Sequence, residues 1–401
     1  MTKKRRRKLK KGPVFILFII ILLIIGFSFR FVYINTSKYL FFKGVRTSKE
    51  DLLNIYDSLK TSYFPYLSSN YYNNTNTIVE LETKELKSSI NFKGDVYLTD
   101  TSNYFNLLIN ANNSEYGLEL LTKDNKLYYK IDDSKYYYTD YSEDNNFGDN
   151  IYFDILKKFY DSIDEETSNS DFSKQDIEIS INDKNYSTKK ISLNINQDLY
   201  DDIIESFIKK ISKEDTYINA LLYITDYQDK NDMFSSLRSF KIKDSLTYSV
   251  YLYKSNGIRH EIDEYKLFYT FVDNCFEINK NNSYIKIADN KISLFIEGML
   301  YGNGKYDDKS FLVDFVDYSN DSLGKLAYSI SSKNKQYIYD LDLSINLELI
   351  KYNIKSNNKI ELNKKVPSID LNNSVTDENM SSNDKKVLEE MLAHINGIID
   401  F

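Results

Sequence analysis

The two histidines and the single cysteine limit the chemistry that this chain can perform. His260 lies in the alternating run Ile258-Arg-His-Glu-Ile262, which predicts a strand with His260 and both isoleucines on one face. His394 stands beside an isoleucine in a C-terminal amphipathic segment, where packing or capping is the expected role. Two distant histidines exclude an HExxH zinc centre within one chain. Cys275, between apolar neighbours, is predicted to be a small buried strand residue, since one cysteine cannot form an internal disulfide.

The acidic residues offer two further possibilities. Asp140–Asn150 spaces oxygen ligands at alternate positions, as calcium loops do, but it lacks glycine at the sixth position and has Ile151 at the twelfth. A solvated loop is therefore predicted there. The adjacent pairs Glu165-Glu166, Asp201-Asp202 and Asp307-Asp308 do not indicate the facing carboxylates of a glycosidase.

The remaining motifs do not indicate a catalytic site. Tyr301-Gly-Asn-Gly-Lys305 has no third glycine and no following helix, so a hairpin turn is predicted rather than a phosphate-binding loop. A Gly-x-Ser-x-Gly elbow is absent from the sequence. We therefore predict no catalytic, metal-binding or cofactor-binding residues and no enzymatic activity. A hydrolase with dispersed carboxylates is the alternative that a cleft lined by such groups would favour.

The segments that carry these residues alternate between the helical spacing of apolar residues and the two-residue alternation of strands. Ser48-Lys-Glu-Asp51 resembles a capping box and predicts a helix over 48–63. Period-two runs from Thr77 to Thr139 predict six short antiparallel strands, and helices follow at 151–163 and after Asp198. A second meander runs from 247 to 362, beginning with a hairpin turn at Asn256-Gly257. The segment from Lys385 predicts a terminal amphipathic helix.

The N-terminus combines charge with an apolar run. Eight of residues 1–11 are Lys or Arg, and Pro13 to Phe29 is uncharged. Extended to Ile34, the run reaches about 33 Å as a helix, enough to cross a hydrocarbon core. We predict a transmembrane helix over 13–34 in contact with the lipid bilayer. By the positive-inside rule the N-terminus is cytoplasmic and the rest extracytoplasmic, so the predicted location is the cell membrane, single-pass.

A cleaved signal peptide is the alternative for this segment, because both share a basic start and an apolar centre. The long apolar run and the lack of an Ala-x-Ala-like site favour an uncleaved anchor. Without the basic tail, 44 Lys/Arg stand against 59 Asp/Glu, a formal charge of −15. This acidic remainder excludes nucleic acid as an expected partner.

The expected fold class is α+β: a transmembrane helix followed by an antiparallel-β-rich ectodomain with two curved sheets and packing helices. The predicted segments follow the chain in this order: basic tail 1–12, transmembrane helix 13–34, juxtamembrane helical segment 35–69, first β-rich lobe with helices 70–240, second β-rich lobe 241–365, and linker with C-terminal helix 366–401.

The anchor, the strand meanders and hairpins such as Asp124-Asn-Lys-Leu-Tyr-Tyr-Lys-Ile-Asp132 give the chain a family resemblance. It resembles uncharacterised single-pass envelope proteins of low-GC Gram-positive bacteria and, more distantly, the LolA/LppX-type lipoprotein carriers. The carrier resemblance would cover about 70–365 and implies a curved sheet closed by helices over an apolar cavity. The missing lipobox cysteine departs from the lipoprotein members, and the resemblance assigns no functional residue.

The sequence therefore favours a membrane-anchored extracytoplasmic binding protein for a lipid or other apolar envelope component. The alternative is a structural or regulatory protein-interaction module of the envelope, with filled cores and no ligand cavity. An unfilled apolar volume would distinguish the first function from the second.

Overall fold

The computed structural model describes residues 34–67, 69–99, 102–140, 151–225, 227–243, 245–334 and 336–399. Six α-helices lie within these ranges: α1 Ser37–Tyr63, α2 Ile151–Glu166, α3 Gln197–Ile211, α4 Asp215–Ile224, α5 Lys230–Ser239 and α6 Ser382–Ile399. The predicted basic tail, most of the predicted span 13–34 and the calcium-like segment after Asp140 lie outside the described residues.

Twenty strands account for most of the remaining described chain. They are β1 Tyr71–Thr83, β2 Lys87–Leu98, β3 Asn103–Ala111, β4 Ser114–Lys123, β5 Lys126–Ile131, β6 Tyr137–Asp140, β7 Phe172–Ile181, β8 Lys184–Ile195, β9 Leu246–Tyr253, β10 Asn256–Ile262, β11 Leu267–Val272, β12 Cys275–Lys280, β13 Ser283–Ala288, β14 Lys291–Ile296, β15 Met299–Tyr306, β16 Ser310–Val316, β17 Ser322–Lys333, β18 Gln336–Asn346, β19 Ile350–Leu362 and β20 Val375–Thr376.

Two-residue turns with positive φ join many of these strands, which explains the abundance of Asn and Asp. Asn112-Asn113, Asp124-Asn125, Asn182-Asp183 and Asp289-Asn290 each have both residues near φ +50° to +75°. Type I′ hairpins require this conformation, and Asn and Asp tolerate it better than other side chains. The predicted turn at Asn256-Gly257 is displaced, because Lys254-Ser255 form the turn and Asn256 begins β10.

The sheet differs from the fold class predicted. The twenty strands form one hydrogen-bonded sheet rather than two curved sheets. The main reason is the antiparallel pairing of β1 with β19, in register from Tyr71 opposite Leu362 to Thr83 opposite Ile350. This pairing joins strands that the sequence analysis assigned to different lobes.

No helix in the described part of the chain is long and apolar enough to cross a membrane. The longest of these, α1, contains Lys38, Lys43, Arg46 and Lys49 in its first half. This finding contradicts the predicted transmembrane helix within the fold class and the predicted single-pass location at the cell membrane. In place of both predictions, the described residues form a β-rich structure whose helices pack on the sheet.

The chain divides into two compact units. The first contains the described residues up to Glu50, Tyr152–Ile218 and Tyr227–Thr270; its core places Phe41 and Val45 of α1 against Ile191, Leu193 and Val250 of β8 and β9.

The second unit contains Asp51–Ile151, Asn219–Asp226 and Phe271–Phe401, with the ends of this range limited to the described residues. In one of its cores Met391 and Ile398 of α6 pack on Leu81, Ile90 and Ile109 of the sheet. In another, Tyr63 and Tyr66 cover Tyr328, Ile330 and Ile360.

Candidate functional site: an open apolar sheet face

A serine and a histidine meet in the first unit in an arrangement that invites a catalytic interpretation. His260 Nε2 lies 2.7 Å from Ser48 Oγ, and His260 Nδ1 lies 2.6 Å from the Tyr248 hydroxyl. Tyr248 in turn lies 3.0 Å from the Tyr160 hydroxyl. A nucleophile within hydrogen-bond reach of an oriented base is the arrangement that hydrolases use.

The proton positions argue against catalysis. The Ser48 hydroxyl donates its only proton to the Gly257 carbonyl oxygen at 2.8 Å, so the Nε2–H group must donate to Ser48. His260 then accepts from Tyr248 at Nδ1 and has no free nitrogen to act as a base. Ser48 and His260 are only 4% and 2% exposed. Burial lowers the pKa of His260 to about 3, which keeps the ring neutral.

The network instead fixes α1 against the sheet. The Tyr269 ring stacks on His260 with centroids 4.4 Å apart. A Cβ at Gly257 would overlap the Gly44 carbonyl and Ser48 Oγ. Therefore α1 and β10 can approach this closely only because Gly257 has no side chain. The predicted capping box at Ser48 is wrong, since α1 begins at Ser37 and Ser48 is an interior residue whose hydroxyl bonds to β10.

The other sequence candidates are placed apart from one another. Cys275 is buried, and desolvation raises the pKa of its thiol. His394 Nδ1 lies 3.1 Å from the Tyr116 hydroxyl at the α6 contact. Tyr301–Lys305 is not a hairpin turn, because it lies inside β15, and the turn is Glu297-Gly298.

One member of each acidic pair has a local structural partner, and Asp201 accepts a hydrogen bond from Gln197 Nε2 at 2.6 Å. Glu165 binds Lys210, and that hydrogen bond lowers the pKa of the carboxyl. Asp307 accepts from the amide nitrogens of Lys309 and Ser310, which lowers its pKa and orders the turn. Among the described residues, no group of three or more His, Cys, Asp or Glu side chains could hold a metal ion.

The most extensive feature with binding chemistry is one face of the sheet in the second unit. Directly opposite residues in adjacent strands share a face, and the registers trace one row across nine strands. This row consists of Ile278, Ile285, Leu294, Gly302, Phe315, Gly324, Ile345, Tyr352 and Leu81. A parallel row two residues away contains Phe276, Ile287, Ile292, Gly304, Val313, Leu326, Leu343, Ile354 and Val79.

Coverage of this face changes along the row. Leu81 is 1% exposed beneath α6, whereas Ile278 and Ile285 at the other end are 44% and 45% exposed. Ile296 and Met299, paired next to the β14–β15 turn, are 41% and 44% exposed. Alternation along β14 places Ile296 on the same face as Ile292 and Leu294. We call Ile278, Ile285, Ile296 and Met299 the open patch.

The reverse face of the same strands is mixed in character, since Lys286 lies there beside the stacked rings of Tyr284 and Phe295, whose centroids are 4.4 Å apart. Leu312 is 43% exposed there, opposite Lys305 on one side and Ala327 on the other. The open patch therefore differs from isolated surface apolar residues because its members adjoin one another and continue into a buried core.

The clefts on the described residues are open and mixed in character. One of about 390 Å³ is lined by Thr61, Pro65, Asp308 and Tyr337. Another of about 570 Å³ lies among Glu165, Glu205, Lys209 and Lys210. Neither resembles the apolar enclosure expected of a lipid carrier.

Comparisons with known proteins do not assign a family. No protein-family model matches the chain, and no curated protein matches its sequence. The translocator domain of autotransporter NalP from Neisseria meningitidis aligns over 79% of this chain and 96% of its own, with 6% identity and a TM-score of 0.18. The MucA/MucB complex structure from Pseudomonas aeruginosa aligns over 79% and 100%, with 7% identity and a TM-score of 0.12. Such low scores carry no structural argument, and the carrier-fold resemblance stays a prediction.

Proposed function

We propose that this protein is a non-enzymatic interaction protein that binds a partner protein on the open patch of β12–β15. The observation that carries the proposal is the continuous apolar row, buried under α6 at Leu81 and exposed at Ile278 and Ile285. Covering the exposed part of each open-patch side chain would contribute about 1 kcal/mol. Half-buried neighbours such as Leu294 would add to that contact.

The sequence suggested two kinds of ligand, a lipid and a protein. The open geometry of this sheet face favours the protein. Ligand sites for small apolar molecules enclose most of the ligand surface. An acyl chain on an open sheet would leave its outer side in water, whereas a protein element brings its own polar outer face. The buried Ser48–His260 network, with its proton directed to a backbone carbonyl, supports the non-enzymatic part of the proposal.

The experiment compares affinity-tagged full chains purified from the native cells. The face variant carries Ile278→Ser and Ile285→Ser, and the control carries Leu312→Ser, which removes an equally exposed residue from the reverse face. We expect a protein that co-purifies with the wild type and the control but is depleted at least tenfold from the face variant. Equal recovery with all three chains would contradict the proposal.

A further inference from the structure

A groove between α1 and α2 in the first unit combines positive charge with an apolar floor. Its volume is about 260 Å³. The lining residues are Phe42, Val45, Arg46 and Lys49 of α1 and Leu156, Lys157, Tyr160, Asp161 and Asp164 of α2. Spacings of three, four and seven residues place Phe42, Arg46 and Lys49 on the same side of α1. The groove is therefore built by two helices that pack on the core of the first unit.

The charges that line this groove do not balance. Its three cations form no ion pair with any of the residues that the structure describes. Of its two carboxylates, Asp164 is bound by Lys38 at 3.0 Å, which leaves Asp161 to offset one cation. Two positive charges therefore remain in a chain whose formal charge outside residues 1–11 is −15.

The cations of α1 also repel one another. Lys43, Arg46 and Lys49 follow at intervals of three residues, and no acidic residue lies between Ser37 and Lys49. Side chains at this helical spacing are neighbours, so like charges there destabilise the helix. An anion bound in the groove would relieve this repulsion, whereas water alone leaves it in place.

The floor of the groove provides an apolar contact beside these charges. Leu156 is 42% exposed, and Phe42 is partly buried against the core that contains Val45. Binding of an inorganic anion would leave the Leu156 surface in water, and binding of a neutral apolar molecule would leave the cations without a partner. A ligand that satisfies both parts of the groove carries an anionic group on an apolar body.

We infer that this groove binds a phosphate monoester with an apolar organic group. Such a phosphate carries a charge of about −1.5 to −2 at pH 7, which matches the two excess positive charges, whereas one carboxylate neutralises only half of them. The Arg46 guanidinium can bind two phosphate oxygens at once, while Lys49 and Lys157 add positive charge. Leu156 contacts the organic group. The inference goes beyond the proposed function, because the groove belongs to the first unit and the open patch to the second.

Isothermal titration calorimetry with the full chain tests the class of ligand. The two ester probes are octyl phosphate, which has a lipid-like chain, and phenyl phosphate, which has a ring. Their matched carboxylates are octanoate and benzoate, and inorganic phosphate lacks an organic group. We expect the tighter of the two esters to bind at least tenfold more tightly than its matched carboxylate and than inorganic phosphate. The choice between chain and ring shows whether the ester is of lipid or of small aromatic type.

Chain variants locate the binding. Arg46→Gln with Lys49→Gln should weaken binding of the ester at least tenfold. Leu156→Ser should weaken the ester but leave the affinity for inorganic phosphate unchanged, because only the apolar contact is lost. The control Lys213→Gln removes an exposed positive charge of the first unit outside the groove and should have no effect. Without ester, the double variant should melt no lower than the wild type, since the repulsion within α1 is reduced.

Each result bears directly on the groove. Equal affinities for the ester and its matched carboxylate would overturn the phosphate assignment. Undiminished binding to the double variant would overturn the location, as would binding through the basic residues 1–11, which that variant retains. Equal weakening by Lys213→Gln would show a general charge effect and no site. These outcomes are separate from the proposed function, which is tested by co-purification through the open patch.

Discussion

The protonation state of the buried His260 ring affects the stability of the first unit. The ring is neutral because burial lowers its pKa to about 3, whereas a histidine in the unfolded chain has a pKa near 6.5. Below pH 6.5 the unfolded chain binds a proton that the folded chain does not. The folded state therefore loses stability as pH falls from about 6.5 towards 3.

This difference predicts an acid sensitivity that depends on one residue. Between pH 7.5 and pH 5 the wild type should lose about 2 kcal/mol more unfolding free energy than His260→Gln, which cannot titrate. Urea unfolding at the two pH values measures the difference, with His394→Gln as the control that removes the chain's other histidine. Equal pH dependence in the wild type and His260→Gln would show that the ring is not held neutral.

Gly257 tests the close approach of α1 to the sheet. Gly257→Ala would place a methyl group against the Gly44 carbonyl and Ser48 Oγ, and we expect it to destabilise the chain by about 1–3 kcal/mol. The control is Gly397→Ala in α6, where an added Cβ meets open space; it should stabilise by about 0.5–1 kcal/mol. Denaturant titration measures the unfolding free energies of both variants. Equal changes in the two variants would contradict the close packing of α1 on the sheet.

At the scale of elements, α6 should contribute to the free energy of unfolding through only one of its faces. Met391 is 2% exposed on Leu81 and Ile90, while the adjacent Leu392 is 44% exposed. Met391→Ala should cost about 2–5 kcal/mol of unfolding free energy, and Leu392→Ala less than about 0.5 kcal/mol. Thermal and urea unfolding measure both, and a cost for Leu392→Ala equal to that for Met391→Ala would mean that the helix is packed differently.

The sequence predicted these elements better than it predicted their ends. Apolar residues at helical spacing located α2, α3 and α6, and alternation located most strands. The errors occurred where a local signal had another cause. Ser48 resembled a cap because serine is common at helix starts, but its hydroxyl pairs with Gly257 and His260, which are distant in sequence. The glycines of Tyr301–Lys305 resembled a turn, but Gly302 and Gly304 lie within β15, and a Cβ at Gly304 would overlap the Leu312 carbonyl oxygen of the neighbouring strand.

At the scale of the whole molecule, strand pairing could not be predicted from local pattern. A period of two tells which side chains share a face but not which strands are neighbours. The pairing of β1 with β19 therefore stayed hidden, and two sheets were predicted where one exists. The open patch was missed for the same reason: Ile278, Ile285, Ile296 and Met299 become one surface only through the registers of β12–β15. The carrier-fold resemblance implied an apolar cavity under a curved sheet instead.

Photo-crosslinking in the native cells tests most directly whether a partner protein covers the open patch. A benzoylphenylalanine is placed at Ile285 in one full-length chain and at Leu312, equally exposed on the reverse face, in another. We predict a discrete protein adduct from position 285 that is absent from position 312. A lipid adduct, a crosslink to residues 13–33 of the same chain, or equal yields at both positions would contradict a partner protein on the open patch.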